Sequence, residues 1–340
     1  MERDGEDEEI GDLSFLPEGV IANVLSFTTP IDACTAAAVS RVFNAAAQSD
    51  FVWDRFLPPD WDVLISHRKS FDPLSSSKKD IFFSLCNNPV PIDDRNKSLS
   101  LDRQSGKKCI MVGARGLSVV WGDTSRYWSW DRHPRSRFAE VAVLLKVWWL
   151  ELRGRISCNI LSPKTTYAVY LVFRMKNCNY EGFNFYPADA TVGIVGTENH
   201  GRRSVCLDPH LDNPLKWRRG YLEPRLMTPL PGPSVEMLGL EWPQERRDGW
   251  FQIELGEFES GDGGDEVEIA LMEVKGHFVK TGLIVEGCFN FVLCPSSRNE
   301  EDRTEDANLL GLMHTTTEIG LLDVNTMSSE PLVDVFKSVK

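Results

Sequence analysis

The sequence predicts an α+β multidomain chain in which a three-helix N-terminal module precedes an antiparallel, jelly-roll-like β-sandwich. Two observations carry this expectation. Apolar residues recur at helical spacing between residues 16 and 57, and from Lys107 onward the period falls to two. The strand-like segments beyond that point are short. Polar loops containing Gly and Pro separate them, without intervening amphipathic helices, and that is the pattern of an antiparallel sandwich. With 340 residues and 42% hydrophobic residues, the chain has room for about two domains.

The elements follow in order. Residues 1–12 form an acidic tail expected to be disordered, and residues 13–58 form the helical module. In its first helix Leu16, Val20, Ile21, Val24 and Leu25 repeat at helical spacing, with Ser14 as a candidate cap. Thr29 caps the second helix, and Pro30 sits in its first turn. The Ala-rich run 33–39 suits close packing. Ser40 reopens a helix carrying Val42, Phe43 and Ala46. Asp50 is expected to cap the turn that presents Phe51, Trp53, Phe56 and Leu57, which Pro58-Pro59 ends. Residues 59–105 read as a connector with a short helix at Asp80–Cys86. The sandwich covers 106–295, with candidate strands at 108–112, 117–121, 147–153, 166–175, 191–196, 250–255, 266–274 and 283–293. In 250–255 Phe251, Ile253 and Leu255 face one way, and Trp250, Gln252 and Glu254 the other. Residues 296–340 read as an acidic, weakly ordered tail.

The net charge of −13 is concentrated: residues 1–12 carry −6 and residues 298–306 carry −3. The remainder is close to balance, which argues against a broad nucleic-acid or anionic-membrane surface, since both need clustered Lys and Arg. The acidic start has no apolar core and predicts no secretory leader. The most apolar segment, 138–152, is short and interrupted by Glu140, Lys146 and Glu151. The expectation is a soluble protein of the cytoplasm or nucleus with eight reduced cysteines, mostly small buried hydrophobes. None forms a C-x-x-C pair, so no structural zinc is expected.

Residues 16–57 resemble the F-box motif. Leu16-Pro17-Glu18, Ile21 and Leu25 match its first helix, Pro30 and Asp32-Ala33-Cys34 its second, and Val39-Ser40-Arg41, Phe43 and Trp53 its remainder. The resemblance implies docking on the Skp-type adaptor of a cullin ubiquitin ligase through Leu16, Pro17, Ile21, Leu25, Pro30, Val39, Phe43 and Trp53. Size points the same way. About 45 residues cannot bury so many apolar groups internally, and an unpartnered apolar face on a small helical unit marks a partner surface. A helical cap packed on the β-domain is the plainer alternative.

A second resemblance spans roughly residues 81–294, with its distinctive stretch starting at Lys107. Lys107-Lys108-Cys109, Ala114–Asp123, Tyr127-Trp128-Ser129-Trp130, Arg137–Ala142, Trp149–Gly154, Tyr167–Phe173, Arg247–Phe258, Glu268–Lys275 and Gly282–Gly287 occur in the order of the plant phloem lectin domain, the Nictaba-related lectins. Together the two halves resemble the F-box phloem-lectin proteins of plants. The resemblance places sugar-binding tryptophans at Trp121 and Trp128. A pyranose presents an apolar C–H face to an aromatic ring, while its hydroxyls need polar neighbours; Asp123, Arg126 and Tyr127 lie between the two rings. On the residues alone, Trp121 equally continues the Leu117–Val119 alternation into a core, and Trp128 equally covers a sheet edge. Trp130, Trp148 and Trp149 read as packing residues.

No nucleophile elbow, Walker loop, dinucleotide fingerprint or H-E-x-x-H helix occurs. His200, Asp208, His210 and Asp212 share one loop and read as solvated, as do Glu254, Glu257, Glu266 and Glu268. The expected function is a non-catalytic substrate adaptor of a Skp-cullin-F-box ligase, with no metal or cofactor. Its sandwich captures a glycan or glycoprotein target. The alternative is an adaptor whose sandwich reads a protein surface or peptide.

Overall fold

The computed structural model describes residues 16–66, 76–92, 95–176, 179–197, 200–209, 240–275 and 278–293. Ser14, both acidic tails, His210 and Asp212 lie outside the described residues.

The N-terminal module contains four short helices, α1 (Glu18–Leu25), α2 (Pro30–Ala36), α3 (Arg41–Gln48) and α4 (Asp50–Phe56), followed by α5 (Trp61–Ser66) and α6 (Lys78–Asn87). Local chemistry sets their starts. Thr29 and Asp32 form a reciprocal capping box on α2, and Ser40 accepts from the Phe43 N–H at the start of α3. Asp50 does not cap α4, whose N-cap is Ser49 without a side-chain bond. Its Oδ1 instead accepts from the Lys78 N–H at 2.8 Å, which ties the start of α6 to α4.

The centre of the module is Trp53. Its ring is fully buried, and its Nε1–H donates to the Ala47 carbonyl at 2.7 Å. Phe56 packs edge-on at 5.6 Å, while Phe82 and Phe83 of α6 lie at 5.2 and 5.3 Å. The core of the helices runs on through α6 into the sheets as one cluster. Gly106, in the turn between the second and third strands, reinforces the joint. A Cβ there would come within 2.8 Å of the Phe56 carbonyl, and its φ of +72° favours glycine in any case. Lys108 pairs with Asp60 at 2.8 Å.

The strands are β1 (Val90–Ile92), β2 (Lys97–Leu101), β3 (Lys108–Gly113), β4 (Ser118–Val119), β5 (Trp128–Asp131), β6 (Val141–Leu144) and β7 (Leu150–Ser157). Then come β8 (Thr166–Met175), β9 (Ala188–Ile194), β10 (Gly201–Val205), β11 (Gln244–Glu245), β12 (Phe251–Glu259), β13 (Glu266–Glu273) and β14 (Leu283–Val292). One sheet runs β1-β2-β3-β14-β8-β12-β11, with the β5–β6 hairpin joined to β14. The other runs β10-β9-β13-β7-β4. The pairings between named strands are antiparallel. The sheets meet across β12 and β9, where a bulge at Glu254–Gly256 brings Gly256 against Val192.

Several expectations change. The segment read as a connector supplies β1 and β2; Ser98 and Ser100 are buried there, so polar residues conceal a strand. The strand expected at 117–121 stops at Val119, because the Gly122 N–H turns back onto the Val119 carbonyl. The strand expected at 147–153 begins at Leu150 and continues to Ser157. The loop after residue 197 contains β10. In β12 the alternation does not separate core from solvent, because Gln252 and Glu254 are also buried. The Glu254 carboxylate accepts from Tyr170 Oη at 3.2 Å and pairs with Arg203 at 2.8 Å, which answers the need of a buried charge for partners. It is therefore not a solvated glutamate.

Trp53→Ala should cost about 3–5 kcal/mol, since it opens a cavity where the helices meet α6. Thermal unfolding followed by circular dichroism and by Trp fluorescence is the check; a melting temperature equal to wild type would contradict the shared core.

Candidate functional site

Two surfaces stand out, one on each half. On the helices, Val20, Val24 and Phe27 repeat along one side of α1 and its end, and all are exposed, Phe27 by 71%. Leu16, Pro17, Ile31, Val39 and Phe51 are also exposed. This divides the expected docking residues. Leu16, Pro17 and Val39 lie on the surface, and Phe43 is half-buried. Ile21, Leu25, Pro30 and Trp53 are buried inside the module and shape it, without a face left for a partner. The sequence reading passed over Val24, Phe27, Ile31 and Phe51 as contacts. The signal was present: Val20, Val24 and Phe27 sit at i, i+4 and i+7, the other side of α1 from Ile21 and Leu25.

The second surface is the turn after β4. The Thr124 N–H donates to the Trp121 carbonyl at 2.9 Å, and the Tyr127 N–H to the Thr124 carbonyl at 2.9 Å. Trp121 projects from this turn with its ring 45% exposed and its backbone at φ +58°. A bulky residue in this left-handed region costs on the order of 1–3 kcal/mol and persists only where surroundings impose it. Tyr127 lies beside it with ring centroids 5.5 Å apart. Asp123 and Arg126 are exposed on the same turn.

Trp128 is different. It is 2% exposed, and its Nε1–H donates to the Val120 carbonyl at 3.2 Å. It offers no ring face to a sugar, so its assignment as a stacking residue is corrected: it is a positioning residue. Trp130 does the same, donating from Nε1 to the Gly122 carbonyl at 2.9 Å. The two indoles clamp the backbone on either side of Trp121.

Trp148 and Trp149, read from sequence as packing residues, are exposed by 46% and 48%. The Val120 N–H donates to the Glu151 carbonyl at 3.1 Å, and Tyr127 accepts from the Leu145 N–H, so their segment runs beside the Trp121 turn. Trp149 donates to Glu151 Oε2 at 3.0 Å. Beneath lies Lys280, fully buried, whose ammonium contacts the Glu273 carboxylate and donates to the Trp148 carbonyl at 3.0 Å. Burial pushes the Lys280 ammonium down to about 8. Among the described residues no group of three or more His, Cys, Asp or Glu is placed to hold a metal. His200 instead lies 3.1 Å from the Ile194 carbonyl, and Asp208 accepts from Tyr180 Oη at 2.7 Å.

Two outcomes follow. Trp121→Gly should leave stability unchanged or raise it by about 1 kcal/mol, because glycine is at ease at this φ, while Trp128→Ala should lower it by about 3 kcal/mol. Lys280→Met should cost about 3 kcal/mol by removing the ammonium partner of the buried Glu273 carboxylate, and adding Glu273→Leu should restore most of the loss. Denaturant titrations of the variants measure each.

Comparison with known proteins agrees with this division. The F-box-like family model matches residues 13–58, and the phloem protein 2 model matches residues 107–289. F-box protein At2g02240 of Arabidopsis thaliana is 41% identical over 272 residues, covering 80% of this chain and 78% of that protein. F-box protein PP2-B10 of the same plant is 42% identical over 275 residues, covering 80% and 90%. Among solved structures, a family 35 carbohydrate binding module from Clostridium thermocellum aligns with 54% of this chain and 98% of its own at 9% identity and a TM-score of 0.28, a likeness too slight to speak to a ligand. The chain belongs to the F-box proteins that carry a phloem protein 2 domain.

Proposed function

We propose that the protein is the substrate-recognition subunit of a Skp-cullin-F-box ubiquitin ligase, and that its sandwich captures targets through a carbohydrate. The carrying observation is the exposed stripe Val20, Val24 and Phe27, flanked by Leu16, Pro17 and Val39, on a module that the F-box-like model matches. An apolar surface of this kind on a charged, small helical unit calls for a partner helix or groove. The chain's own part is binding and positioning. The cysteines among the described residues are free thiols, which fits a reducing compartment, cytoplasm or nucleus.

Sugar recognition rests on Trp121. Its strained backbone, open ring and polar neighbours Asp123 and Arg126 make a platform for one pyranose face. The exposed Trp148 and Trp149 extend the aromatic surface on the adjoining segment. A second reading has one observation in its favour: Trp128 is buried, so the pair of stacking rings that the family resemblance implies is reduced to one. A protein or peptide face would use the same aromatic surface.

Val24→Asp should weaken binding to a purified Skp-type adaptor by about 2 kcal/mol, roughly thirtyfold, without altering the melting temperature. Calorimetry on the two proteins checks this, and an unchanged affinity would remove the adaptor reading. On a glycan array the wild type should give signal that Trp121→Ala abolishes. Silence of both would favour the protein-surface reading.

A further inference from the structure

Three motifs that neither proposed contact uses converge on one cavity of about 430 Å³. Arg135 and Arg137 reach it from the segment joining β5 to β6, Arg246, Arg247 and Asp248 from the turn joining β11 to β12, and Glu286 from β14. It opens at the end of the β5–β6 hairpin away from Trp121, a strand length of about 13 Å for four residues.

The charge in this cavity is unbalanced. Four arginines and two carboxylate residues line it, and the Arg137 guanidinium also donates to Ser98 Oγ at 3.3 Å. Both carboxylates are already engaged. Asp248 Oδ2 pairs with Arg246 Nη2 at 2.8 Å, and Glu286 Oε1 accepts from the Arg137 N–H at 2.7 Å. Arg246 is buried, and its Nη1 also reaches Gln252 at 3.4 Å. Among the described residues Arg135 Nη1 reaches the Asp248 carbonyl, at 3.5 Å. A fifth guanidinium stands beside Arg135, behind the lining residues. Arg174 stands 5.8 Å from the Trp250 ring centre, and its Nη1 is buried without a hydrogen-bond partner among the described residues. A Cβ built on Gly249 would collide with Arg135 Nη1 and lie 3.1 Å from Arg174 Nη1, so both groups crowd the same glycine. A buried donor left unsatisfied is costly. Here it stands beside Arg135, which lines the cavity.

We propose that this cavity binds a tetrahedral oxyanion, phosphate or a phosphomonoester group. Its excess of two positive charges suits a dianion. Guanidinium donors arrive from both the β5–β6 segment and the β11–β12 turn, which fits oxygens arranged in three dimensions better than a flat carboxylate. Burial lowers the Arg137 pKa and raises that of Glu286, the mark of a poorly solvated site in which an added anion is held strongly. The site is separate from the Trp121 turn, and its occupation is independent of sugar binding.

The test is calorimetry and thermal melting of the full chain with sodium phosphate, phenyl phosphate and sodium chloride at matched ionic strength. Phosphate should raise the melting temperature where chloride does not. Arg135→Gln with Arg247→Gln removes two exposed side chains and should weaken phosphate at least ~10-fold with an unchanged melting temperature in its absence. Arg247→Gln alone should give a smaller loss in the same direction, and it serves if the double variant is unstable. Binding of phenyl phosphate as well as phosphate identifies a group carried on a larger ligand; binding of phosphate alone identifies the free ion. Equal stabilisation by chloride, or a phosphate response unchanged in both variants, would overturn the proposal.

Discussion

The arrangement depends on how a small helical module satisfies its apolar residues. Four short helices between residues 18 and 56 cannot enclose a core of their own. Trp53 resolves half of this problem by packing on Phe82 and Phe83 of α6, which in turn is continuous with the core of the sheets. The other half stays open along Val20, Val24 and Phe27. One face is thereby committed within the chain, and the other stays exposed. The same sequence feature, an excess of apolar residues in a short stretch, underlies both the joint and the exposed stripe.

The Trp-rich turn follows a related logic. Two indoles, Trp128 and Trp130, surrender their N–H groups to the carbonyls of Val120 and Gly122. Each such bond to a buried or half-buried donor is modest in net energy, yet together they hold the chain where Trp121 must take a left-handed backbone. The turn is over-determined by its supports, and the ring it leaves exposed is that of Trp121. Aromatic residues in one short segment thus divide into anchors and a presented group.

Much of this was legible in the sequence. The cap Thr29, the helix start at Ser40 and the long strands 166–175 and 283–293 appear where local pattern places them, whereas the strands begin at Val90, ahead of the change of period near residue 107. The failures share a cause, which is that burial is set by tertiary neighbours. Ser98 and Ser100 look like loop residues, yet they lie on β2 because β3 covers them. Glu254 looks solvated, yet β12 lies between two partners and Arg203 neutralises it. In the site, the residue types and segment were readable, while the roles of Trp121 and Trp128 were not. Seven residues apart in sequence, they differ only in which side of the turn meets the sheet. The Arg cavity was unreadable as a unit, since its members come from segments up to about 150 residues apart, near Arg135, Arg246 and Glu286.

The close approach of Gly106 to Phe56 has a further meaning for how such a protein is used. With Phe82 packed against it and Lys108 bridged to Asp60, the turn makes a seam in place of a tether. A tethered recognition domain sweeps a wide volume and presents its cargo at every angle. A seamed one holds its cargo along a single direction, like a jig on a workbench. On the adaptor reading, selection then extends past which molecule is captured to which of its lysines stands within reach.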